Sequence, residues 1–285
     1  MASTLDIRRR IRSVKNTAQI TKAMQMVAAS KMRKSQAAAL SGRAYQDVLY
    51  RVLGALRGKV DPQATPLLVD RLVRTELILV ISSDKGLCGA LNTNLFRELT
   101  AIDATDPSFA AVGRKAVQFL ARTRRKLLAD FQVSEIPHTR EVRPIANFCS
   151  EKFLSGEVDR VRVVYSKFVN TLVQQVTTVN LLPVSSEELL GEEKEQKVSS
   201  GEFLFEPSEQ GVLTAILPHY VSFQIFQMLL DARASEHSAR MVAMKNATDN
   251  AKQLVKDLTL EYNKVRQAGI TTELLEIASA QLSVG

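Results

Sequence analysis

All eight prolines of this 285-residue chain fall between Pro62 and Pro218, leaving 61 residues before the first and 67 after the last without the strongest helix breaker. Few folds accommodate such flanks. The first, from about Ala2 to Gly58, is rich in Ala, Lys, Arg, Gln and Met, all good helix formers. Asp6 suits its start, and Gly54, Gly58 and Asp61-Pro62 end it. Such a helix would be roughly 85 Å long, more than a small globular domain can bury. The last flank is expected to start near Ser208, an N-cap after Pro207, and to run to about Leu282 with a candidate kink at Pro218.

The last flank carries a seam. His237, Met241, Met244, Thr248, Ala251, Val255, Leu258, Tyr262 and Val265 recur at alternating spacings of four and three, the pattern of a left-handed coiled coil. In the first flank Ile7, Ile11, Val14 and Ala18 keep that spacing, and Thr21, Gln25 and Ala28 continue it with smaller or polar residues. Two long helices bracketing a compact middle should pair antiparallel. The last would then exceed the first by about 15 residues, or roughly 20 Å. In that surplus Ile270, Leu274, Leu275, Ile277, Ala278 and Leu282 are spread around much of the circumference, and a helix apolar on most sides must be sheathed by another protein.

The middle alternates between short apolar runs and helical stretches. Residues 76–82, 161–165 and 173–182 read as strands, residues 90–102 as a helix, and 203–205 as a short strand within a Glu-rich loop near 185–206. The expected fold is an α/β central domain plus a long antiparallel coiled coil formed by the N- and C-terminal helices. Its expected divisions are 1–60, 61–207 and 208–285.

The formal net charge of +8 is unevenly placed. Residues 1–59 carry +11, residues 184–210 carry −6, and residues 211–285 balance to zero. No stretch approaches the roughly 18 consecutive apolar residues of a bilayer span, and the start lacks the apolar region of a secretory signal, so a soluble intracellular chain is expected. Two cysteines, Cys88 and Cys149, are too few for a disulfide framework or a zinc site, and His138, His219 and His237 have no ligand spacing.

Two features could carry chemistry. The turn from Ser82 to Gly89 follows a strand and precedes a helix, where backbone amides could cradle a phosphate, but it lacks the Gly-Lys-Ser/Thr ending of a P-loop and also reads as a tight turn served by two glycines. Cys88 there is a nucleophile at a helix start or a buried structural thiol. The basic arm, with Arg8, Arg9, Arg10, Arg12, Lys15, Lys22, Lys31, Arg33 and Lys34, fits a solvated helix face, a nucleic acid or an acidic protein surface. Only Tyr45 and Tyr50 interleave as aromatics before residue 60, which disfavours the nucleic-acid-binding coiled coil kept as the alternative.

The stretches ITKAMQMVAASKM (20–32), SSDKGLCGALN (82–92), SEHSARMVAMKNATDNA (235–251) and YNKVRQAGITTELLEI (262–277) resemble, in order and across the whole chain, the gamma-subunit family of bacterial-type F-type ATP synthases. The resemblance implies a central rotor shaft whose coiled coil turns inside three alpha and three beta subunits, while the central domain meets the epsilon subunit and the c-subunit ring. Proton flow turns the ring and the shaft, and the asymmetric shaft drives ATP synthesis at the three beta sites; hydrolysis reverses it. The family's contacts to beta map onto Lys22, Met24 and Lys31 and onto Arg240, Gln267 and Thr271. Ile270, Leu274, Leu275, Ile277 and Leu282 match the apolar bearing tip. The resemblance further implies no catalytic residue, metal, cofactor or nucleic acid on this chain, and a peripheral place on the cytoplasmic side of the inner (plasma) membrane, reached only through the complex. With no cysteine after Cys149, the thiol switching of chloroplast members is not expected.

Overall fold

A computed structural model describes residues 4–56, 60, 65–184 and 205–284. In chain order its elements are α1 (Thr4–Ser41), α2 (Arg43–Leu56), β1 (Glu76–Ile81), α3 (Leu91–Ala101), β2 (Pro107–Val112), α4 (Arg114–Arg122), β3 (Leu127–Phe131), α5 (Thr139–Leu154), β4 (Arg160–Phe168), β5 (Gln174–Leu182) and α6 (Glu209–Val284). They form two compact units, residues 29–239 and a second made of Met1–Ala28 with Arg240–Gly285. Both α1 and α6 supply residues to each.

Residues 29–239 are built on a five-stranded sheet of order β3-β2-β1-β4-β5, parallel except for β5. The period-two alternation of strands explains its layers. Leu77, Leu79 and Ile81 of β1 face one core with α2, α5 and the first part of α6, whereas Ile78 and Val80 face the other with Leu95 and Leu99 of α3 and Ala116 and Leu120 of α4. Being covered on both faces, β1 reads in sequence as an unbroken apolar run from Leu77 to Ile81.

The first flank is two helices, not one: a turn at Gly42 separates α1 from α2. Glycine propagates helix poorly, and a Cβ here would come within 2.4 Å of Gln227 Nε2, so the position favours close approach to α6 over helical continuity. Along α2 the partners on α6 run backwards. Tyr45 meets Phe223 with ring centroids 5.1 Å apart, and Tyr50 meets Tyr220 at 6.2 Å while its hydroxyl accepts a bond from Gln224 Nε2 at 3.0 Å. The pairing is antiparallel. Ser208 caps α6 as expected, its Oγ accepting from Gly211 N at 3.1 Å. By length and composition alone α6 could cross a bilayer, but Leu213, Leu217, Val221, Ile225 and Leu229 are buried in the core of this unit.

In the second unit the expected seam is the buried one. Ile7, Thr21 and Ala28 are buried, with Ile11, Val14, Ala18 and Gln25 partly so; opposite them Met244, Thr248, Ala251 and Leu258 are buried, with Met241, Val255, Tyr262 and Val265 partly so. Small residues at several of these positions let the backbones of the antiparallel coiled coil approach closely.

Sequence reading missed β2, α4, β3 and α5. β2 (PSFAAV) is short, starts on proline and holds two alanines. α5 contains Pro144, a signal against helix, yet Val142, Ile145, Ala146, Cys149 and Phe153 keep helical spacing and are all buried, which offsets the one backbone bond that proline forfeits. The strand expected at residues 203–205 falls mostly outside the described residues, as does the acidic loop; Phe205 itself is in no strand and packs partly buried against the core.

Candidate functional site

Sheet growth reverses direction between β1 and β4, and beyond the C-terminal ends of strands at such a switch point open α/β sheets bind their ligands. The turn from Ser82 to Gly89 lies there. The side chains of Ser82, Ser83, Asp84 and Cys88 are committed to local structure. Ser82 Oγ accepts from Ala116 N at 2.8 Å and so caps α4, and Asp84 Oδ1 accepts from Arg114 N at 3.2 Å. Ser83 Oγ donates to Lys85 O at 2.8 Å, and Asn92 Nδ2 donates to Ser83 Oγ at 2.8 Å and Cys88 Sγ at 3.3 Å. Gly89 adopts φ 60°, which supports the tight-turn reading.

Within this unit a stretch of α6 packs against the loops at that edge of the sheet. Ala232, Arg233, Ala234, Ser235, Glu236, His237 and Ser238 are buried in succession, all round the helix. Arg233 Nη2 donates to Asp84 Oδ2 and to Val133 O, both at 3.0 Å, and Nη1 donates to Glu236 Oε2 at 2.9 Å. Burial opposes its charge, but Glu236 and Asp84 outweigh that and raise its pKa. One turn on, Ser238 Oγ donates to Thr171 O at 2.7 Å in the β4–β5 hairpin, and His237 Nε2 lies 3.9 Å from Glu135 Oε1. Lys31 of α1 reaches the same Glu135 oxygen at 2.5 Å. Burial alone would raise the Glu135 pKa, but the Lys31 hydrogen bond and charge, with His237 and Lys85 nearby, hold it below the ordinary carboxylate value. The sequence reading singled out neither Arg233 nor Asp84 as a pair. At the opposite end of β1 it also missed Glu76, fully buried, whose carboxylate receives Arg160 and Arg162 from β4.

Both cysteines are buried free thiols, and burial pushes Cys149 up to about 12, so it stays protonated. His138 precedes α5, its backbone N–H held by Glu141 at 3.0 Å, and His219 is exposed on α6. Among the described residues no group of three or more His, Cys, Asp or Glu is arranged to hold a metal.

The residues expected to meet a partner divide between the units. In the coiled coil Lys22, Gln267 and Thr271 are exposed, while Met24 and Arg240 are half-buried; Thr271 Oγ1 donates to Gln267 O at 2.9 Å, so these two share a helix face. Lys31 belongs to the other unit, where Glu135 restrains it. Arg8, Arg9, Arg10, Arg12 and Lys15 are all exposed, away from the seam. Beyond Val265 the apolar side chains are uncovered: Ile270 is 49% exposed, Leu274 61%, Leu275 65% and Ile277 61%. The side chains of Ala278 and Leu282 lie outside the described residues.

A family model described as ATP synthase matches residues 3–284. The chain is 50% identical over 292 aligned residues to the ATP synthase gamma chain of Opitutus terrae, covering 99% of each, and 46% identical over 293 to that of Methylacidiphilum infernorum, covering 100% of each. The chain belongs to the ATP synthase gamma chain family. Among solved structures it is similar to a chain of the central stalk/c-ring structure of the Tetrahymena thermophila mitochondrial ATP synthase, with a TM-score of 0.63 and 27% identity over 80% of this chain and 99% of that one. A chain of the Euglena gracilis mitochondrial ATP synthase shares the fold, with a TM-score of 0.72 and 23% identity over 99% of this chain and 94% of that one. A gamma chain is one subunit of a membrane-bound enzyme complex.

Proposed function

We propose that this chain is the central-stalk rotor subunit of an F-type proton-translocating ATP synthase, carrying the rotation of a c-subunit ring to catalytic sites on three beta subunits. Beside its end-to-end likeness to gamma chains, the observation that carries this reading is the exposed apolar end of α6, with Ile270, Leu274, Leu275 and Ile277 uncovered in water. An apolar collar formed by surrounding subunits is the cover such an end requires, and a smooth apolar surface suits a bearing because hydrophobic contact has no preferred direction. The exposed cations of α1 face acidic elements of beta through weak, screened contacts that release as the shaft turns.

The subunit itself is non-catalytic and binds no nucleotide. In support, the residues of the β1 turn are bonded to their own surroundings and α6 lies against the loops where a nucleotide would enter. Lys22, Met24, Lys31, Arg240, Gln267 and Thr271 meet beta. The epsilon subunit and the c ring meet the central domain, and the complex holds the chain at the cytoplasmic face of the inner membrane.

Reconstitution tests the reading. Added to complexes depleted of their gamma subunit, the purified chain is expected to restore proton-coupled ATP synthesis and to co-purify with alpha and beta. Failure to do either overturns the proposal. The isolated chain is expected to show no heat on titration with ATP.

A further inference from the structure

Where α6 passes the C-terminal edge of the sheet, seven consecutive residues from Ala232 to Ser238 are buried, about two turns and roughly 10 Å of helix closed on every side. Earlier in the same unit α6 keeps an exposed face, as at Thr214, Ala215, Pro218 and His219. Closure alone does not stop a helix from turning. The apolar face from Leu213 to Leu229 sets the azimuth of α6 before this point; in the fully buried turns, where no face is left to water, hydrogen bonds supply the directional part of the hold.

The directional contacts concentrate on one side chain. The planar guanidinium of Arg233 spends its fork on three oxygens: Asp84 Oδ2 in the loop after β1, Val133 O in the loop after β3, and Glu236 Oε2 on its own helix. Ser238 adds a bond to Thr171 O in the β4–β5 hairpin. Three loops from one edge of the sheet thus hold two turns of α6, and Arg233 reaches two of them. We propose that Arg233 is a positioning residue that fixes the rotational setting of α6 against the central sheet, so that torque applied to the sheet enters the helix without slip. Asp84 sets the direction of the guanidinium, and Glu236 balances its buried charge.

The proposal rests on the rotor reading, and the experiment separates the two. The full complex would be reconstituted with wild-type chain, Asp84→Asn, Arg233→Lys or Ser238→Ala. Three quantities would be read: ATP hydrolysis, protons pumped per ATP against an imposed gradient, and the angular fluctuation of single stalled rotors. Asp84→Asn keeps the shape of the side chain but removes its charge; Arg233→Lys keeps the charge but cannot span three acceptors. Both are expected to hydrolyse ATP at the wild-type rate, to widen the angular fluctuation beyond that of the wild type, since Asn offers one acceptor oxygen where Asp84 serves both Arg114 N and Arg233, and Lys cannot reproduce the fork, and to pump fewer protons per ATP under load. Ser238→Ala should give a smaller widening. Wild-type fluctuation and pumping in both Asp84→Asn and Arg233→Lys would overturn the assignment, as would a fall in melting temperature without any change in fluctuation. Should Arg233→Lys fail to assemble, Asp84→Asn decides. If the wild-type chain restores no rotation, the rotor reading fails instead.

Discussion

Thr21 and Thr248 meet hydroxyl to hydroxyl, their Oγ1 atoms 2.7 Å apart in the buried seam of the coiled coil between residues 227 positions apart in sequence. Each hydroxyl also has a carbonyl of its own helix in reach, Ala18 O at 3.2 Å for Thr21 and Met244 O at 2.7 Å for Thr248. One donates across the seam while the other donates along its helix, so the pair is satisfied without water. A polar pair among apolar neighbours penalises any other register, because slippage would forfeit the bond across the seam and set each hydroxyl against apolar side chains.

Replacing one member should therefore cost more than replacing both. Thr248→Val is expected to destabilise the chain by about 1 kcal/mol, and Thr21→Val with Thr248→Val to recover most of that loss, since apolar groups of the same shape leave nothing unsatisfied. Denaturant melts of the two singles and the double check this; additive losses would contradict it.

Asp231 gives a pH dependence. Burial raises its pKa from 3.8 to about 6, against the opposing pull of Lys167, so between those values the folded chain holds a proton that the unfolded chain has released. Stability from this group falls as pH rises through that window and stays lower above it. Asp231→Asn is expected to stabilise the chain by about 1–2 kcal/mol at pH 7 and to make little difference at pH 4. Urea titrations at both pH values measure it, and equal effects at the two would show that the proton is not the cause.

Gly113 bridges β2 and α4 at φ 93°, and a Cβ there would lie 2.4 Å from the backbone oxygen of Ser82. Gly113→Ala combines a disfavoured backbone with a clash against a strand end that cannot move aside. A loss of about 3 kcal/mol or more is expected. Gly86→Ala, which meets nothing within 4 Å, serves as the control and should cost far less.

Removing the chain after Gly269 takes away the exposed apolar end of α6 but none of the core of residues 29–239. The melting temperature of the purified chain should hardly change, while its yield of complex with alpha and beta falls by about tenfold or more. Parallel loss of both would show that the end supports the fold.

Met24→Lys places a cation on a half-buried coiled-coil position. The long side chain can carry its charge out to water, so folding should survive. Coupling should not: at an acidic beta surface the added cation favours one rotational setting. Protons pumped per ATP are expected to fall with the melting temperature unchanged, and wild-type pumping would remove Met24 from the contact surface.

Much of the coiled coil was legible because its signal is local and periodic. Spacings of four and three from Ile7 to Ala28 and from Met241 to Val265 mark residues that are buried or partly buried, and Ser208 marked the start of α6. β1, β4 and β5 were legible as apolar or β-branched runs. Elements whose signal is weak or contradicted locally were not: β2 is short and alanine-rich, and Pro144 argues against a helix that five buried side chains sustain. The break at Gly42 was missed because its reason, the approach of Gln227, lies on another helix.

The sequence by itself determined that two long helices flank an α/β middle, which faces of them are apolar, and that the last ends in an apolar stretch. These are properties of composition and spacing along one segment. Only the tertiary structure decided which charges meet. Arg233 and Asp84 are 149 positions apart, and Glu76 lies 84 from Arg160, yet each acid is shielded or balanced by a partner that the sheet topology delivers. A buried charge is tolerated only where its counter-charge and hydrogen bonds are supplied, and that supply depends on how the strands are ordered in space, which no local pattern records.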